Sequence, residues 1–554
     1  MIKDTISDML SEALRRAQAD GALPALEHQD PAVERPQNQD HGDYASSLPL
    51  KMARSARMSP LAIAEILRER LPEQEEVTSV TVAPPGFVNF GLDSRWIMRQ
   101  VGTVLTEGDR FGHGTSGTGV SAQVEFVSVN PTGPVHVGHG RGAVQGSAVA
   151  NVLEASGYTV QREYYINDAG SQMDNFFESL HARYLQALGR DAEFPTEGYH
   201  GAYLMELGQE LASEFGDQYV DGENAARELG EIGMARMIDS IREDLERIDV
   251  RFDRWFSERS LFADGTYEKA IDEVRANGYT AEREGAVWFT GTDLGDERDS
   301  VLVRQTGAPT YFASDIAYHY DKFLGRRFDR VVNVWGADHQ GHVPRMKAVV
   351  NALGVDPERL QFILVQLVTL KRGDEVVRVS KRTGDIITLA EVISEVGPDA
   401  CRYFFLSRSA DAQMDFDLEL AKREAPDNPV YYIQYAFARI SSILRNAREN
   451  GIDPDDMSQA VDFDALTEEA EHQLARAMLR FPEVVELAAR NLEPHHLPHY
   501  AYELATAFHD FYTKHRVLGE EPHVTLARLR LTQAAGTVLR NALALMGMSA
   551  PESM

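Results

Sequence analysis

QVEFVSVNPTGPVHVGHGRGAVQGSAVANVLEASGYTVQREYYI, residues 123–166, is the stretch that decides the fold. Apolar residues run through 123–129 and 159–166 as they do in buried strands, and residues 135–155 between them have the pattern of a helix. A strand, a helix and a second strand in this order form a βαβ unit. The unit implies a parallel sheet whose ligands bind at the carboxyl ends of its strands.

The rest of the chain arranges itself around this unit. Residues 1–107 mix helical stretches with a strand-like end, and five glycines in residues 108–119 mark a boundary. The α/β pattern of residues 120–425 is interrupted at about 171–299 by an acidic, helical stretch, which we interpret as an insertion between two halves of the sheet. Residues 426–554 have the pattern of amphipathic helices.

Within residues 120–425 the α/β pattern resumes after the insertion. We expect strands at 301–303, 330–335 and 360–368 and a helix at 343–353. The fold class is therefore α/β, with an α+β region before the parallel sheet and an all-α helical bundle after it.

Composition excludes several classes of protein. At 554 residues, 43% of them hydrophobic, the chain has room for three or four globular domains. It contains no apolar run near the roughly 20 residues that cross a membrane, and its N-terminus is polar, which predicts a cytoplasmic protein without membrane association. Cys401 is the sole cysteine, so internal disulfides and multi-cysteine zinc sites are excluded and no structural metal is expected.

The formal charge of −31 argues against binding nucleic acid by bulk attraction, although local basic faces remain possible. Two stretches, 431–448 and 522–551, contain arginines and no acids. They are either surfaces for a polyanion or buried helices that lack acids for another reason, and composition alone favours neither.

His136 and His139 lie one helical turn apart at the junction between the first predicted strand and the helix. A helix start offers backbone N–H groups and a positive dipole end to an anion, and imidazoles can donate hydrogen bonds to phosphate oxygens. Two histidines at this spacing also occur as packing neighbours or as half a metal site. No third ligand lies at a spacing that suits a metal.

A second anion candidate is the basic segment 378–384, RVSKRTG, placed after a strand and before a helix that begins near Leu389. Its three cations and Ser380 suit a loop that closes over a polyphosphate. On its own the segment is more typical of a solvated turn. Its pairing with His136 and His139 on one α/β scaffold favours a nucleotide site.

Together the two segments resemble the H-I-G-H and K-M-S-K-S motifs of class I aminoacyl-tRNA synthetases. Further stretches narrow the resemblance to the arginyl-tRNA synthetase family, and it extends over essentially the whole chain. These stretches are residues 42–45, 124–132, 164–170, 311–319, 335–342 and 545–554.

The resemblance implies a fold, an activity and partners. Residues 120–425 would be a Rossmann-like catalytic domain, 1–107 a tRNA-contacting domain and 426–554 an anticodon-binding domain. The activity would be ligation of L-arginine to tRNA(Arg) through an arginyl-adenylate, with ATP accompanied by Mg²⁺ and with AMP and pyrophosphate released. The family also suggests a monomeric enzyme whose arginine activation waits for bound tRNA.

Site residues follow from the matching positions. The candidate catalytic donors to phosphate are His136, His139, Ser380 and Lys381. Gly138 would lie against adenine, while Gly336 and Asp338 would face the ribose. The full ATP-binding set is Pro131, Thr132, Gly133, Gly138, Gly140, Arg141, Gly336, Asp338 and His339. A guanidinium needs carboxylates and amide oxygens, and the matching arginine-binding set is Glu125, Asn130, Tyr311, Asp315 and Gln340.

The basic segment departs from the family pattern. Arg378 and Val379 stand where K-M is usual, but the second lysine of the motif is present as Lys381. Family members without that lysine carry one just before H-x-G-H, and that position here is Gly133. Lys381 is therefore expected to keep the role.

Contacts with tRNA are predicted at both ends of the chain. Phe87 and Asn89 lie in a strand-like segment and could stack on and hydrogen-bond one splayed base, although Phe87 also suits an ordinary core strand. In the C-terminal region the candidates are Arg439, Arg445 and Arg528.

Two other classes of protein remain as alternatives. Other class I synthetases usually carry zinc ligands or a much larger editing insertion than the 130 or so residues seen here. A synthetase-like RNA-binding or regulatory module tends to lose one nucleotide motif, whereas this chain has both.

Overall fold

The structure is a computed structural model that describes residues 1–25, 30–36, 38–377, 387–456 and 458–554. Ser380 and Lys381, predicted to act on phosphate, therefore lie outside the described residues. Among the described residues, no helix is both long and apolar enough to cross a bilayer.

The first 107 residues form helices around an antiparallel sheet with strand order β1-β2-β4-β3. Ser59 and Asp93 cap two of the helices by accepting hydrogen bonds from the backbone N–H of Ala62 and Trp96. The elements are α1 (Ile2–Ala19), β1 (Val33–Glu34), β2 (Tyr44–Ser46), α2 (Leu48–Ala56), α3 (Pro60–Arg68), β3 (Val77–Ala83), β4 (Phe87–Leu92) and α4 (Ser94–Glu107).

The predicted βαβ unit opens the second part of the chain, and a helical stretch follows it. Phe176, Leu180, Leu211 and Leu229 belong to a core of this stretch's own helices. The elements are β5 (Ser121–Glu125), α5 (Val137–Ala155), β6 (Thr159–Ile166), α6 (Ser171–Ala187), α7 (Ala202–Phe215), α8 (Ala225–Glu246) and β7 (Arg254–Ser257).

From residue 260 the chain alternates helices and strands. Its elements are α9 (Ser260–Ala263), α10 (Thr266–Ala276), β8 (Thr280–Arg283), β9 (Ala286–Phe289), β10 (Ser300–Val303), α11 (Tyr311–Tyr320), β11 (Arg330–Gly336), α12 (Val343–Ala352), β12 (Leu360–Val365), β13 (Val368–Arg372), β14 (Glu375–Val376), α13 (Leu389–Val396), α14 (Pro398–Leu406), β15 (Met414–Asp417) and α15 (Leu418–Ala421). A π-helical turn, Asp321–Gly325, follows α11.

The remaining described elements are helices, as predicted for the C-terminal region. They are α16 (Pro429–Glu449), α17 (Glu469–Leu479), α18 (Phe481–Asn491), α19 (His496–Lys514) and α20 (Pro522–Leu545). Close contacts divide the chain into two units, residues 1–111, 440–482 and 506–538 in one and residues 112–439, 483–505 and 539–554 in the other.

The central sheet of the second unit is parallel throughout, with strand order β12-β11-β5-β6-β7. This confirms the predicted α/β class. β5 connects through α5 to β6 on one side, while β11 lies on the other side of β5, so the chain changes direction between β5 and β11. Ligands of open α/β sheets bind at such a switch point, outside the carboxyl ends of the strands.

Two sequence predictions about this region need correction. The stretch 171–299 is not a continuous insertion, because β7 returns to the edge of the central sheet beside β6. The strand predicted at 301–303 exists as β10, but it pairs antiparallel with β9 in a separate sheet. Short apolar strands carry no sequence signal for the sheet that they join.

Helix α5 is buried on nearly all sides, and its glycines allow neighbours to approach it closely. A Cβ on Gly140 would lie 2.6 Å from Leu389 Cδ1, and one on Gly146 would lie 2.3 Å from Phe126 Cγ. A Cβ on Gly142, in contrast, would meet nothing within 4 Å. Two of the helix's glycines are therefore packing requirements, and one is not.

We predict opposite stability effects for two alanine substitutions in α5. Gly146→Ala should destabilise the protein by about 1–3 kcal/mol, because Phe126 must move to admit a methyl group. Gly142→Ala, the matched control, should leave stability unchanged or raise it by up to about 1 kcal/mol, since alanine favours a helix interior. Urea-induced unfolding followed by circular dichroism measures both. Equal unfolding midpoints for the two variants would contradict the packing described.

Candidate active site

A cavity of about 710 Å³ lies at the switch point of the central sheet. It is bounded by the turn that follows β5, the carboxyl end of β11, the start of α5 and one face of α11. Its polar lining residues are Glu125, Ser128, Asn130, Thr132, His139, Asn167, Asp315, His319, Asn333, Asp338, His339 and His342.

The turn after β5 is held in a left-handed backbone conformation. Val127 has φ 68° and Ser128 has φ 44°, and both line the cavity. Such conformations cost about 1–3 kcal/mol each and persist where surrounding contacts impose them. Here the Ser128 hydroxyl donates to Glu125 Oε1 at 3.1 Å and accepts from the backbone N–H of Tyr165 at 3.1 Å. These bonds fix the turn beside the Glu125 carboxylate.

At the start of α5 the backbone N–H groups already have protein acceptors. Those of Val137, Gly138 and His139 donate to Ile387 O, His136 Nδ1 and His136 O, at 3.2, 3.0 and 2.9 Å. The expectation that these N–H groups bind an anion is therefore corrected. The histidine side chains and the helix dipole remain the candidates for binding an anion here.

Accepting the Gly138 N–H at Nδ1 sets the tautomer of His136. A neutral ring must then carry its proton on Nε2, where it is a hydrogen-bond donor. The His136 and His139 rings lie 3.4 Å apart between centroids, and His139 lines the cavity. The chain that follows the basic segment is tied to the same place, since Leu389 N donates to Val135 O at 2.8 Å.

Glu125 is paired with a lysine that sequence reasoning missed. Lys322 is fully buried, and its Nζ lies 2.6 Å from Glu125 Oε2 and 2.9 Å from Asn333 Oδ1. Burial lowers the pKa of Lys322, and the adjacent Glu125 carboxylate opposes that shift. The signals in the sequence were a lysine one helical turn after His319 and an asparagine inside the apolar strand β11.

Asp315 carries the second carboxylate of the cavity. Its side chain is open to the cavity, although it lies deep in the protein. Burial raises the pKa of Asp315 to about 7, with further raising contributions from Glu258 and Glu125, while Lys322 and Arg345 oppose them. Asp315 is therefore a carboxyl group poised to titrate near neutral pH.

His319 also lines the cavity, and its imidazole is neutral. Burial, and then the charge of Lys322, lower its pKa to about 3. Its Nδ1 lies 2.8 Å from Asp315 O, and its Nε2 lies 3.3 Å from Asn333 Nδ2. The imidazole thus adds no charge to this part of the cavity.

Many of the predicted site residues meet in the cavity wall. They are Glu125, Asn130 and Asp315 of the arginine set, Thr132, Gly133, Gly336, Asp338 and His339 of the ATP set, and the catalytic candidate His139. Residues more than 200 positions apart in the sequence are thereby brought to one place.

Other predicted residues lie outside the described lining. Pro131 is buried, Tyr311 is exposed with its hydroxyl 3.3 Å from Ser171 Oγ, and Gln340 lines a neighbouring groove. The remaining residues of this group are His136, Gly138 and Gly140. Close packing against Leu389 explains Gly140 without a ligand.

The ATP-binding prediction for Arg141 needs correction. The side chain is fully buried, and its guanidinium donates to the backbone oxygens of Gln366, Ser409 and Ala412 at 2.8–3.0 Å. Burial lowers its pKa to about 10, which leaves it charged at neutral pH. Its three acceptors hold it inside the protein, so it cannot reach a phosphate in the cavity.

Two predicted tRNA contacts also need correction. Asn89 is 4% exposed within β4, so a base cannot reach it without opening of the sheet. Arg528 is buried and pairs with Glu471 Oε1 at 2.7 Å. The acid-free stretch around Arg528 is thus partly the interior of a helical bundle, one of the two interpretations that composition allowed. Phe87 and Arg439 are half-buried and Arg445 is exposed.

Comparison with known proteins points to one family over the whole chain. Three family models match, those of the arginyl-tRNA synthetase N-terminal domain at residues 2–92, the class I tRNA synthetase (R) catalytic domain at 100–405 and the DALR anticodon-binding domain at 433–554.

Individual relatives agree. The arginine–tRNA ligase of Dehalococcoides mccartyi is 54% identical, and that of Moorella thermoacetica is 47% identical, each alignment covering 100% of this chain and 99% of the relative. The crystal structure of Thermus thermophilus arginyl-tRNA synthetase superposes with a TM-score of 0.79, covering 100% of both chains at 22% identity, which shows a common fold.

We predict that Arg141→Met lowers the midpoint of thermal unfolding while leaving ATP affinity within about twofold of the wild-type value. Each buried carbonyl that loses its partner costs about 1–3 kcal/mol. Asp338→Asn, in the exposed cavity wall, should show the opposite pattern. Differential scanning calorimetry and ATP titration measure the two quantities. An Arg141→Met protein that has the wild-type unfolding midpoint but binds ATP weakly would contradict the structural role and support Arg141 as an ATP-binding residue.

Proposed function

The chain belongs to the arginyl-tRNA synthetase family, and from this premise we propose which residues perform each step of the reaction. The protein ligates arginine to tRNA at the expense of ATP hydrolysis to AMP and pyrophosphate. In the first step the arginine carboxylate attacks the α-phosphorus of ATP and pyrophosphate leaves. In the second, the arginyl group passes from the adenylate to the tRNA.

The arginine site is assigned to the part of the cavity wall that contains the carboxylates of Glu125 and Asp315. A guanidinium is permanently charged and presents a planar set of N–H donors, which carboxylate oxygens match in charge and geometry. Asp315 and Glu125 supply such oxygens, and Asn130 lines the same cavity. Tyr311 and Gln340 lie outside its described lining and stay in the proposed set through the family resemblance.

The adenylate is proposed to form between His139 and the end of β11. Thr132, Gly133, Gly336, Asp338 and His339 line this part of the wall and are proposed to hold ATP. His136, with its proton on Nε2, and His139 would donate to the phosphate oxygens on which charge grows. Ser380 and Lys381, in the basic segment, would complete the donor set. The chain that follows this segment is bonded to the start of α5, because the Ile387 carbonyl accepts from the backbone N–H of Val137.

Mg²⁺ is proposed to bind together with ATP, on its phosphates, rather than in a preformed site of protein carboxylates. The ion keeps most of its waters and binds few protein carboxylates in nucleotide sites. The charged oxygens of the described lining belong to Glu125, Asp315 and Asp338, and Glu125 is already paired with Lys322.

Recognition of tRNA(Arg) is proposed for residues 1–107 and 426–554, which precede and follow the catalytic region 120–425 in the sequence. Phe87, Arg439 and Arg445 remain the candidates for contact. A monomeric enzyme is proposed from the family resemblance, and the tRNA substrate suits a cytoplasmic location.

A survey of ATP–pyrophosphate exchange across the amino acids, with total tRNA present, tests the arginine assignment. Exchange should depend on arginine and should fail with citrulline, the neutral isostere of its side chain. Exchange that depends on lysine or glutamine instead would overturn the assignment. Exchange that runs equally well without tRNA would refute the expected dependence on tRNA.

Lys381→Ala should slow adenylate formation far more than it weakens arginine binding. Removing a positioned donor to a developing phosphate charge costs about 10²–10³ in rate, whereas the arginine carboxylates are untouched. Pyrophosphate exchange and arginine titration separate the two effects, and Lys371→Ala, which loses an exposed pair with Asp415, serves as the control. Equal losses in both measurements would sink the assignment.

Arginine affinity should fall with pH because of Asp315. Its raised pKa, about 7, means that the carboxyl is protonated below that pH and cannot attract a guanidinium. Affinity should therefore drop by up to about tenfold per pH unit below pH 7 and level off above it. Asp315→Asn should bind arginine weakly at every pH, with ATP affinity retained. A wild-type profile that is flat from pH 6 to pH 8 would contradict the role of Asp315.

A further inference from the structure

We propose that Lys322 is the positioning residue that gives the cavity its selectivity for a cationic side chain, because its ion pair holds the Glu125 carboxylate in place in the wall. Lys322 itself does not line the cavity, so it would act through Glu125. The inference rests on the proposed arginine site and adds a residue that site does not contain.

Three described groups surround the Lys322 ammonium. It donates to Glu125 Oε2 at 2.6 Å and to Asn333 Oδ1 at 2.9 Å, and the centroid of the Tyr318 ring lies 4.1 Å from Nζ. Two hydrogen bonds and a cation–π contact therefore hold this buried ammonium in place. Glu125, which accepts from Ser128 on its other oxygen, is thereby fixed from two sides.

The backbone brings this lysine to the cavity's charged groups. Tyr318, His319 and Lys322 follow Asp315 by three, four and seven residues. This spacing places all four residues on one face of a helix. Lys322 falls in the π-helical turn Asp321–Gly325, just after α11 ends. π-helical turns are rare and are frequent at functional sites.

A second buried ion pair nearby shows what a purely structural pair looks like. Arg326 and Glu163 form hydrogen bonds in the same region, and Glu163 also accepts from Gln123 and Tyr318. Glu163 is fully buried and does not line the cavity. Glu125 differs because its carboxylate lies in the cavity wall, where its charge can reach a ligand.

Electrostatics explain why the pair matters for a ligand. Two carboxylates in a poorly solvated site repel each other, and Lys322 opposes the rise in the pKa of Asp315, so removing Lys322 would raise that pKa further. With Lys322 present, two negative charges and one positive charge balance one guanidinium. The other charged or titratable groups that face this cluster are Glu163, Tyr165, Asp168, Glu258, Tyr318, His319, Arg326 and Arg345.

The test is a double-variant cycle on full-length protein, with arginine, citrulline and ATP titrated by calorimetry from pH 6 to pH 9. The variants are Lys322→Met, Glu125→Gln and the two combined. Lys322→Met should weaken arginine binding by about tenfold or more, narrow the preference for arginine over citrulline, and move the loss of affinity to higher pH. ATP affinity should change by less than about twofold, since neither member of the pair belongs to the proposed ATP-binding set.

The combined variant decides between action through Glu125 and a merely structural role. It should bind arginine at least as well as Glu125→Gln alone, because Lys322 has nothing left to position and its positive charge no longer opposes the guanidinium. This comparison also serves if Lys322→Met does not fold, since removing both charges leaves no unpaired buried ion. Arg326→Met, which breaks the structural pair, should lower the melting temperature and leave the pH profile of arginine binding in place.

Two results would overturn the inference. One is a Lys322→Met protein that melts earlier but keeps the wild-type arginine affinity and pH profile. The other is a combined variant weaker than Glu125→Gln by the full effect of Lys322→Met. Failure of the proposed arginine site is a separate outcome, because the wild-type protein would then fail to distinguish arginine from citrulline.

Discussion

An arginine substrate carries a permanent positive charge, and the carboxylates of the cavity compensate that charge only while they are ionised. Desolvation, together with the charges of Glu258 and Glu125, favours the neutral form of Asp315 and raises its pKa to about 7. Lys322 opposes that shift and forms an ion pair with Glu125. The cavity is thus strongly attractive to a cation above neutral pH and loses that attraction in acid.

The backbone around the cavity is arranged to keep these charges in place. The left-handed residues Val127 and Ser128 turn the chain sharply at the end of β5, next to Glu125. Glycines in α5 let that helix pack closely against Phe126 and Leu389, which brings His136 and His139 to the same edge of the sheet. Strain in the turn and close packing in the helix therefore serve one site.

Much of the fold and part of the site could be predicted from the sequence. The strand Thr159–Ile166 and the parallel order around β5 follow from apolar patterning and the βαβ rule. Arg141 and Arg528 were misplaced because a motif or a charge pattern does not reveal which side of a helix is buried. Lys322 was missed because its value depends on Glu125, nearly 200 residues away, and no local pattern links the two.

A crystal structure of the protein with arginine bound at pH 8 tests the central claim most directly. The account predicts that the guanidinium lies in the cavity within hydrogen-bond distance of Asp315 and Glu125, with Lys322 Nζ still on Glu125 Oε2. A guanidinium bound elsewhere, or a Lys322 released from Glu125 when arginine enters, would contradict it.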